Sequence, residues 1–338
     1  MLKILTVDQK EQWNSIVRSM NQYDFYHLAE YHQLEHSGQP LLLYFSSQKT
    51  SITLPVVLRP VAGTEYNDLT SVYGYVGPLP DRENPDEQSI KDFHEALFHF
   101  FGLYKIVSVF TRLHPLFGNQ ALLLSGLGEI VEISRTVAID LSLPEQEQKR
   151  QYAHSIKSDI NRLKRRDVYI KKVQSREEIN LFIEMYRESM NRVKASNMYF
   201  FPDEYFYRFM EKLPSSLFLA YHEKKAISGS LTTACNGIVQ HHLSATLNDY
   251  LKWSPLKFVW DYIRRDAIEK NEKWMHMGGG FGGADDSLFQ FKSFFSDLRF
   301  PFKIWQYIHN KDVYNRLTSE KHANRTPDSS FFPLYRIN

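Results

Sequence analysis

The alternation of hydrophobic and polar positions predicts one series of elements in the first half of the chain. A short apolar strand leads into two helical segments, and three extended stretches follow them. A helix, a strand, a short helix and a final strand complete the series. In chain order the predicted segments are Leu2–Leu5, Asp8–Met20, Tyr26–His36, Leu41–Phe45, Ile52–Leu58, Leu69–Val76, Glu87–Phe101, Lys105–Leu113, Leu116–Leu124 and Ile130–Leu141.

The second half of the chain predicts the same series again. Its clearest local signal is Asn236-Gly237, a pair between two strands that favours a tight hairpin turn. In chain order the predicted segments are Val168–Val173, Arg176–Val193, Asp203–Leu213, Leu217–His222, Ile227–Cys235, Ile238–Thr246, Pro255–Lys270, Lys273–Met277, Ser287–Phe295 and Phe300–Ile308. A repeat of this length indicates two similar domains.

The repeated order of elements resembles that of GNAT-type acyltransferase domains. Their mixed sheet opens beside its fourth strand, where the acyl donor enters. The resemblance implies an α/β fold with a mixed sheet, built as two tandem GNAT-like acyltransferase domains. We expect the first domain over residues 1–145 and the second over 168–309. A basic helix over 146–167 would connect them, and residues 310–338 would pack back on the first domain.

Composition excludes several other classes of protein. The chain has 338 residues, of which 43% are hydrophobic and 24% charged, which is typical of a folded protein and not of a disordered one. Its single cysteine, Cys235, excludes an intrachain disulfide framework and a multi-cysteine zinc site. The start of the chain lacks a signal-peptide core, and no run approaches the roughly 18 apolar residues of a membrane helix. We therefore expect a cytoplasmic protein.

Charge is balanced over the chain but concentrated in one segment. The net charge is only +2, whereas residues 149–172 carry nine Lys or Arg and two Asp. Ile156, Ile160 and Leu163 recur at helical spacing there, which predicts an amphipathic basic helix. Such a helix is either a solvated connector or a surface for phosphate groups of a nucleotide-linked substrate, a tRNA or an anionic membrane. We expect Arg162 and Arg192 to bind phosphate or carboxylate.

Two further motifs have weak functional readings. His32 and His36 have the spacing of a zinc-binding helix, but nothing indicates a third ligand, so we predict no metal site. The glycine-rich run over 278–283 fits a dinucleotide-binding pattern but lacks the acidic residue that should follow. Gly279 and Gly280 instead indicate close approach of the backbone to a ligand or to a neighbouring strand.

Several short motifs resemble the Fem-type aminoacyltransferases and the wider FemAB-like group. The most specific is Phe291-Lys292-Ser293-Phe294-Phe295, which is similar to the F-K-x-x-F motif of that family. The other matching segments are Tyr73–Pro78, His114-Pro115, Ala220–Cys235, His241–Ala245, Trp253–Trp260 and Trp274–Gly280. As a tandem pair of GNAT-like domains the resemblance covers most of the chain, and the internal repeat supports it independently.

The resemblance implies an enzyme that forms amide bonds in cell-wall or peptidoglycan biogenesis. Lys292 would stabilise the oxyanion of the reacting carbonyl, and His242 or His114 would take the proton of the attacking amine. Contacts with the substrate would come from Tyr73, Tyr75, Arg112, His114, Arg162, Arg192, Gly279 and Gly280. The ligand-binding cleft would lie between the two halves, beside the basic helix.

The substrates are left as alternatives. The acceptor would be an amine on a nucleotide- or lipid-linked precursor of the cell wall or of a surface polysaccharide. The acyl donor would be aminoacyl-tRNA or acyl-CoA, with no resident cofactor. One alternative is an acyl-CoA-dependent N-acyltransferase that acts on an amino sugar or a small amine. A second alternative is a non-catalytic module that binds RNA or a nucleotide through the basic helix.

Overall fold

The computed structural model describes residues 1–280, 285–322 and 331–337. The chain divides into two compact units. The first contains Met1–Ser134 and Pro301–Asn338, and the second contains Arg135–Phe300. Among the described residues, no helix has both the length and the apolar character needed to cross a membrane.

The strands and helices are numbered in chain order. The strands are β1 (Leu2–Thr6), β2 (Gln39–Ser46), β3 (Ser51–Pro60), β4 (Asn67–Thr70), β5 (Leu79–Pro80), β6 (Ile106–Arg112), β7 (Glu129–Asp140), β8 (Tyr169–Val173), β9 (Ser215–His222), β10 (Lys225–Cys235), β11 (Ile238–Thr246), β12 (Trp274–Gly278) and β13 (Arg299–Ile308). The helices are α1 (Lys10–Arg18), α2 (Ala29–His32), α3 (Glu87–Leu103), α4 (Gln120–Leu123), α5 (Glu145–Arg150), α6 (His154–Arg165), α7 (Arg176–Arg192), α8 (Asp203–Lys212), α9 (Leu256–Glu269), α10 (Ser287–Ser293) and α11 (Lys311–Lys321).

The sheet of the first unit runs in the order β1-β2-β3-β4-β6-β13. Its first strands form antiparallel pairs, β4 lies parallel to β6, and β13 is antiparallel to β6. Apolar side chains of these strands pack against α3, which buries Phe93, Leu97 and Phe101 completely. Trp305 of β13 belongs to the same core, and its indole N–H donates to the carbonyl of Leu127 at 2.5 Å.

The sheet of the second unit runs in the order β8-β9-β10-β11-β12-β7. The strands from β8 to β11 pair antiparallel, and the predicted hairpin at Asn236-Gly237 is confirmed. Both turn residues have positive φ, at 48° and 82°, as a tight turn of the mirror-image type requires. Helices α7 and α8 pack on one face of this sheet, and α6, α9 and α10 contribute to the core on the other.

The unit boundaries differ from the predicted ones because two strands belong to different units from those the repeat indicates. The strand predicted over Ile130–Leu141 was expected to complete the first domain. Instead β7 pairs with β12 of the second unit through its residues from Val137 to Asp140. Conversely β13, expected in the second domain, pairs with β6 of the first. Helix α6 is part of the second unit, since Ile156, Ile160 and Leu163 are buried in its core.

Two elements near the start of the chain also differ from expectation. The single helix predicted over Tyr26–His36 is a 3-10 turn, Phe25–His27, followed by the short α2, because Leu28 between them is extended, with ψ of 144°. The strand predicted over Leu69–Val76 ends at Thr70. Gly74 follows with φ of 117°, a conformation that favours glycine and interrupts a strand.

Candidate active site

In the second unit, the sheet opens between its two parallel strands. β11 and β12 pair at Ile238–Trp274, Val239–Met275 and Gln240–His276, and within the described residues the ladder ends there. Beyond that point the backbone amides of the two strands no longer satisfy one another, and the side chains that follow line an opening. The residues at this opening are His241 on one strand and Met277 and Gly278 on the other.

Lys292 of α10 lies at this opening. Its side chain is only 6% exposed, and its ammonium group donates to the carbonyl oxygen of Gly279 at 2.6 Å. Burial lowers the pKa of Lys292 to about 8, and the charge of Asp286 opposes that shift. The amine is therefore mostly protonated at neutral pH, and it is held at the end of β12 by a backbone contact. A cation with few competing partners is suited to stabilise a developing oxyanion.

The glycines of this segment allow the close approach that their spacing predicts. A Cβ atom on Gly279 would lie 2.9 Å from the carbonyl oxygen of Arg135 on β7, so any larger residue would displace that strand. The position therefore requires glycine, and its carbonyl is fixed where Lys292 can reach it. Gly280 is half-buried. Residues 281–283 of the glycine-rich run, with Ala284 after them, lie outside the described residues.

The two adjacent histidines of β11 contact helices on opposite faces of the sheet. His242 stacks on Phe209 of α8 at 4.4 Å, and its Nε2 shares a hydrogen bond of 2.7 Å with the hydroxyl of Tyr205. His241 packs edge-to-face against Trp260 of α9, with ring centroids 4.8 Å apart. Trp260 in turn contacts Phe291, the neighbour of Lys292 in sequence. Thus His241, and not the predicted His242, shares a face with Lys292.

The sequence alone indicates His242 as a proton acceptor and assigns no role to His241 or Trp260. Side chains of a regular strand alternate between its two faces, so only one of two adjacent histidines is expected to face the helix that carries Lys292. Which of them does so depends on the register against β10, which shifts here: Leu231 pairs with Leu243 and Thr232 with His241, so His242 is the extra residue of a bulge in β11. Nothing in the local sequence predicts that bulge.

In the first unit, His114 is part of a buried polar group. The N–H of Leu116 donates to His114 Nδ1 at 3.3 Å, which places the proton on Nε2, and Nε2 donates to Asp24 Oδ2 at 3.2 Å. His27 lies beside them and shares a 2.9 Å hydrogen bond with the carbonyl of Val76. Burial raises the pKa of Asp24 to about 7 and lowers the pKa of His114 to about 3. Both ring nitrogens of His114 are engaged by the protein, which suits a positioning role.

Of the other contacts predicted in the first unit, Tyr75 lies beside His114. Tyr75 is half-buried and its ring lies 6.1 Å from that of His114 and 5.1 Å from Phe302. Tyr73 is 37% exposed, and its carbonyl accepts a hydrogen bond from the hydroxyl of Tyr31 at 2.8 Å. Arg112, at the end of β6, places its guanidinium over the ring of Phe110 at 5.1 Å.

The two arginines expected to hold an anion have different surroundings. Arg162 lies on α6, with a 40% exposed side chain, and donates to Asp159 at 2.7 Å. Arg192, at the end of α7, donates to the carbonyl of Thr246 and to Asn248 Oδ1, at 3.1 and 2.6 Å. Arg192 therefore joins the end of β11 to α7 and is exposed, whereas Arg162 is partly exposed.

The histidine pair of the possible zinc motif is separated by the local structure. His32 is fully buried and shares a 3.0 Å hydrogen bond with the carbonyl of Tyr26, while His36 is exposed beyond the end of α2. Among the described residues, no group of three or more His, Cys, Asp or Glu side chains is placed to hold a metal ion.

No protein-family model matches the chain, and no curated protein sequence matches it either. Solved structures do match over nearly the whole length. FemX superposes with a TM-score of 0.73 at 12% identity, covering 93% of this chain and 99% of its own. L-PGS from Bacillus licheniformis gives 0.56 at 15% identity, covering 93% and 97%. The C-terminal domain of a protein assigned as a lysylphosphatidylglycerol synthetase, from Agrobacterium fabrum, gives 0.59 at 11% identity, covering 91% and 94%.

These likenesses extend across both units, and at such low identity they establish the fold. The chain therefore has a FemAB-like fold of two GNAT-type units, which it shares with FemX.

Proposed function

We propose that the protein is an acyltransferase that forms an amide bond. An aminoacyl or acyl group would pass from an activated donor to an amine of a cell-wall or surface-polysaccharide precursor. The observation that carries this proposal is the buried ammonium group of Lys292, held against the Gly279 carbonyl where β11 and β12 separate. The fold shared with FemX supports the same class of reaction.

The proposed reaction places one requirement on the donor's carbonyl and one on the acceptor amine. The donor's carbonyl must lie within hydrogen-bond distance of Lys292, so that the negative charge formed during attack meets a cation in a poorly solvated place. The acceptor amine must be neutral and must approach the carbonyl carbon at about van der Waals distance. The nitrogen–carbon bond then forms as the bond to the donor's oxygen or sulfur breaks. No covalent intermediate on the protein is required, and Cys235 is buried in a hairpin.

We further propose that the donor is an aminoacyl-tRNA and that the acceptor is nucleotide-linked, which would place the reaction in the cytoplasm. Helix α6 supports contact with a polyanion, since Lys157, Lys164 and Arg165 are all exposed on it. Arg162 is available for a phosphate because a single carboxylate only partly covers its guanidinium. An anionic membrane surface is a further possible partner for the same charges.

Transfer should be measured with defined probes. In one reaction the purified protein would receive total tRNA charged with radiolabelled amino acids, together with nucleotide-linked muramyl pentapeptide. In another it would receive acetyl-CoA with glucosamine. Mass spectrometry would identify a new amide. We expect product in the first reaction, and we expect Lys292→Met to lower turnover by about 10²–10³. The control is Lys212→Met, at an exposed lysine of α8.

The outcomes separate the proposal from its alternatives. Product from acetyl-CoA alone would overturn the aminoacyl donor and favour a CoA-dependent N-acyltransferase. Binding of tRNA with no product in either reaction, unchanged in Lys292→Met, would favour the non-catalytic module. Acceptor binding has its own test: nucleotide-linked muramyl pentapeptide at 100 times its dissociation constant should stabilise the protein by about 2.7 kcal/mol. Arg162→Ala should reduce that stabilisation.

A further inference from the structure

His241 has surroundings that its role in a strand does not explain. It is the first residue of β11 beyond the paired part of β11 and β12, since the ladder ends at Gln240. Its ring is half-buried, and within the described part of the chain its Nε2 atom is shielded from solvent without a hydrogen-bond partner. A buried polar atom of this kind is disfavoured unless something binds it. The position at the sheet opening indicates a ligand.

A second polar atom beside His241 has the same property. The indole N–H of Trp260 is buried and has no acceptor among the described residues, and this ring contacts His241 edge-to-face. Trp260 is only 1% exposed and packs on Phe291 and Phe295 of the lysine-bearing segment. The indole therefore fixes the imidazole ring and joins it to the segment that carries Lys292.

We propose that His241 is a catalytic residue, whose Nε2 accepts the proton that the attacking amine loses. This inference rests on the proposed function and names the proton acceptor for it. Lys292 and His241 then have complementary tasks at one opening: the cation meets the carbonyl oxygen, and the imidazole meets the amine.

The step balances with the donor class already named. The neutral amine attacks the carbonyl carbon of an ester or thioester, and the new carbon–nitrogen bond forms. One proton of that nitrogen passes to His241 Nε2. When the bond to the leaving oxygen or sulfur breaks, the imidazolium returns this proton to it. His241 ends neutral, the products are an amide and the free hydroxyl or thiol, and no oxidant or reductant is involved.

The electrostatic environment keeps the imidazole in the required form. Burial lowers the pKa of His241 well below its usual range, and the charges of Lys292, His242 and His276 act in the same direction. These are the titratable groups that act on it from α10, from its own strand and from β12. A neutral imidazole with its proton on Nδ1 has a lone pair on Nε2, so the ring is ready to accept a proton at neutral pH.

The decisive experiment compares substitutions at the two adjacent histidines in the full chain. With whichever donor and acceptor support transfer, kcat and KM would be measured for His241→Gln, for His242→Gln and for a matched control. The control is His222→Gln, because His222 is also half-buried in a strand and packs against a tryptophan ring. We expect His241→Gln to lower kcat by about 10²–10⁴ with little change in KM. His242→Gln should lower kcat far less.

Two further measurements distinguish chemistry from structure. Imidazole added to His241→Ala should restore part of kcat, which a merely structural defect would not allow. Histidine NMR on the full chain needs no substrate: Lys292→Met should raise the pKa of His241, because a nearby positive charge is removed.

Each outcome is decisive. If His241→Gln turns over as fast as the wild type, or if His242→Gln loses more, the inference is wrong while the proposed function stands. An unchanged His241 pKa in Lys292→Met would overturn the proximity of these two residues, and this test does not require the His241 variants to fold. A wild type that transfers from neither donor would overturn the proposed function and this inference with it.

Discussion

At the scale of single residues, the protonation of Lys292 gives a direct pH prediction. Burial lowers its pKa to about 8, so the ammonium group loses its proton as the pH rises through 8. If the charge stabilises the oxyanion, kcat should fall above pH 8. Lys292→Arg keeps a cation that does not titrate there, so the fall should move to higher pH even if kcat is reduced overall. The measurement is kcat from pH 6.5 to 9.5.

The comparison between the wild type and Lys292→Arg is the control for other titrations. A fall at the same pH in both proteins would assign it to the substrate or to another group. It would then contradict a role for the Lys292 charge in the rate-limiting step.

The buried carboxyl of Asp24 predicts a pH-dependent stability. Burial raises its pKa from 3.8 to about 7, so between these values the folded protein holds a proton that the unfolded chain has released. Stability from this group is therefore present in acid and is lost as the pH rises towards 7. Asp24→Asn removes the titrating group. The free energy of unfolding of this variant, relative to that of the wild type, should therefore rise by up to about 4 kcal/mol between pH 4 and pH 7.

Urea denaturation at several pH values would check this. Burial also lowers the pKa of His27 to about 4, which makes acid destabilising for that group, but this contribution is present in both proteins. A difference between Asp24→Asn and wild type that stays constant with pH would show that Asp24 is ionised throughout.

The sequence predicted the residue at the sheet opening but not its partner. Lys292 was recognisable because a lysine among phenylalanines after a glycine run is unusual. Its partner depends on which face of β11 each histidine occupies, and the bulge at His242 in β11 affects that register. The sequence could not predict the role of Asp24 either, since its contact with His114 spans 90 positions of the chain.

At the scale of elements, helix α6 shows how spacing predicts packing. Its three apolar residues, four and three positions apart, are all buried, with Leu163 fully so. Leu163→Ala should lower the free energy of unfolding of the second unit by about 2–5 kcal/mol, because a cavity replaces buried methyl groups. Lys164→Ala, next to it and exposed, should change it by less than about 0.5 kcal/mol. Thermal denaturation of both variants is the test.

Equal losses at these two positions would mean that the helix contributes through its charges and not through its apolar face. Spacing could predict this face because it depends only on local geometry. The same reasoning failed for Tyr26–His36, where Asp24 caps a 3-10 turn and Leu28 is extended. Buried contacts of that segment, such as His27 with Val76, outweigh its helical pattern.

At the scale of the whole molecule, each unit contains one strand that the sequence repeat predicts for the other unit. β7 follows the elements of the first unit and pairs with β12, and β13 follows those of the second and pairs with β6. The repeat in the sequence predicted that two similar sheets exist. The repeat could not predict this exchange, because hydrophobic alternation indicates that a strand is buried but does not indicate which strand lies beside it.

The exchange predicts which part of the chain the first unit needs in order to fold. A chain ending at residue 300 lacks most of β13 and all of α11, and with them Trp305, which is fully buried in the first core. Without β13, β6 has an open edge and the first core has a cavity in place of Trp305. Removal of one buried tryptophan side chain alone costs about 3–5 kcal/mol of folding stability. We expect hydrogen exchange to show loss of protection in β3 and β6, while amides in β10 and β11 stay protected.

A chain ending at residue 322 is the matched control, since it keeps β13 and α11 and loses only the final segment. That segment contributes Arg336, whose side chain donates to the buried carboxylate of Asp68 at 2.8 Å, so the control should lose some stability. Protection in β3 and β6 should nevertheless persist, because the core around Trp305 is complete. Equal protection of β6 in the chains ending at 300 and at 322 would show that the first unit folds without the exchanged strand.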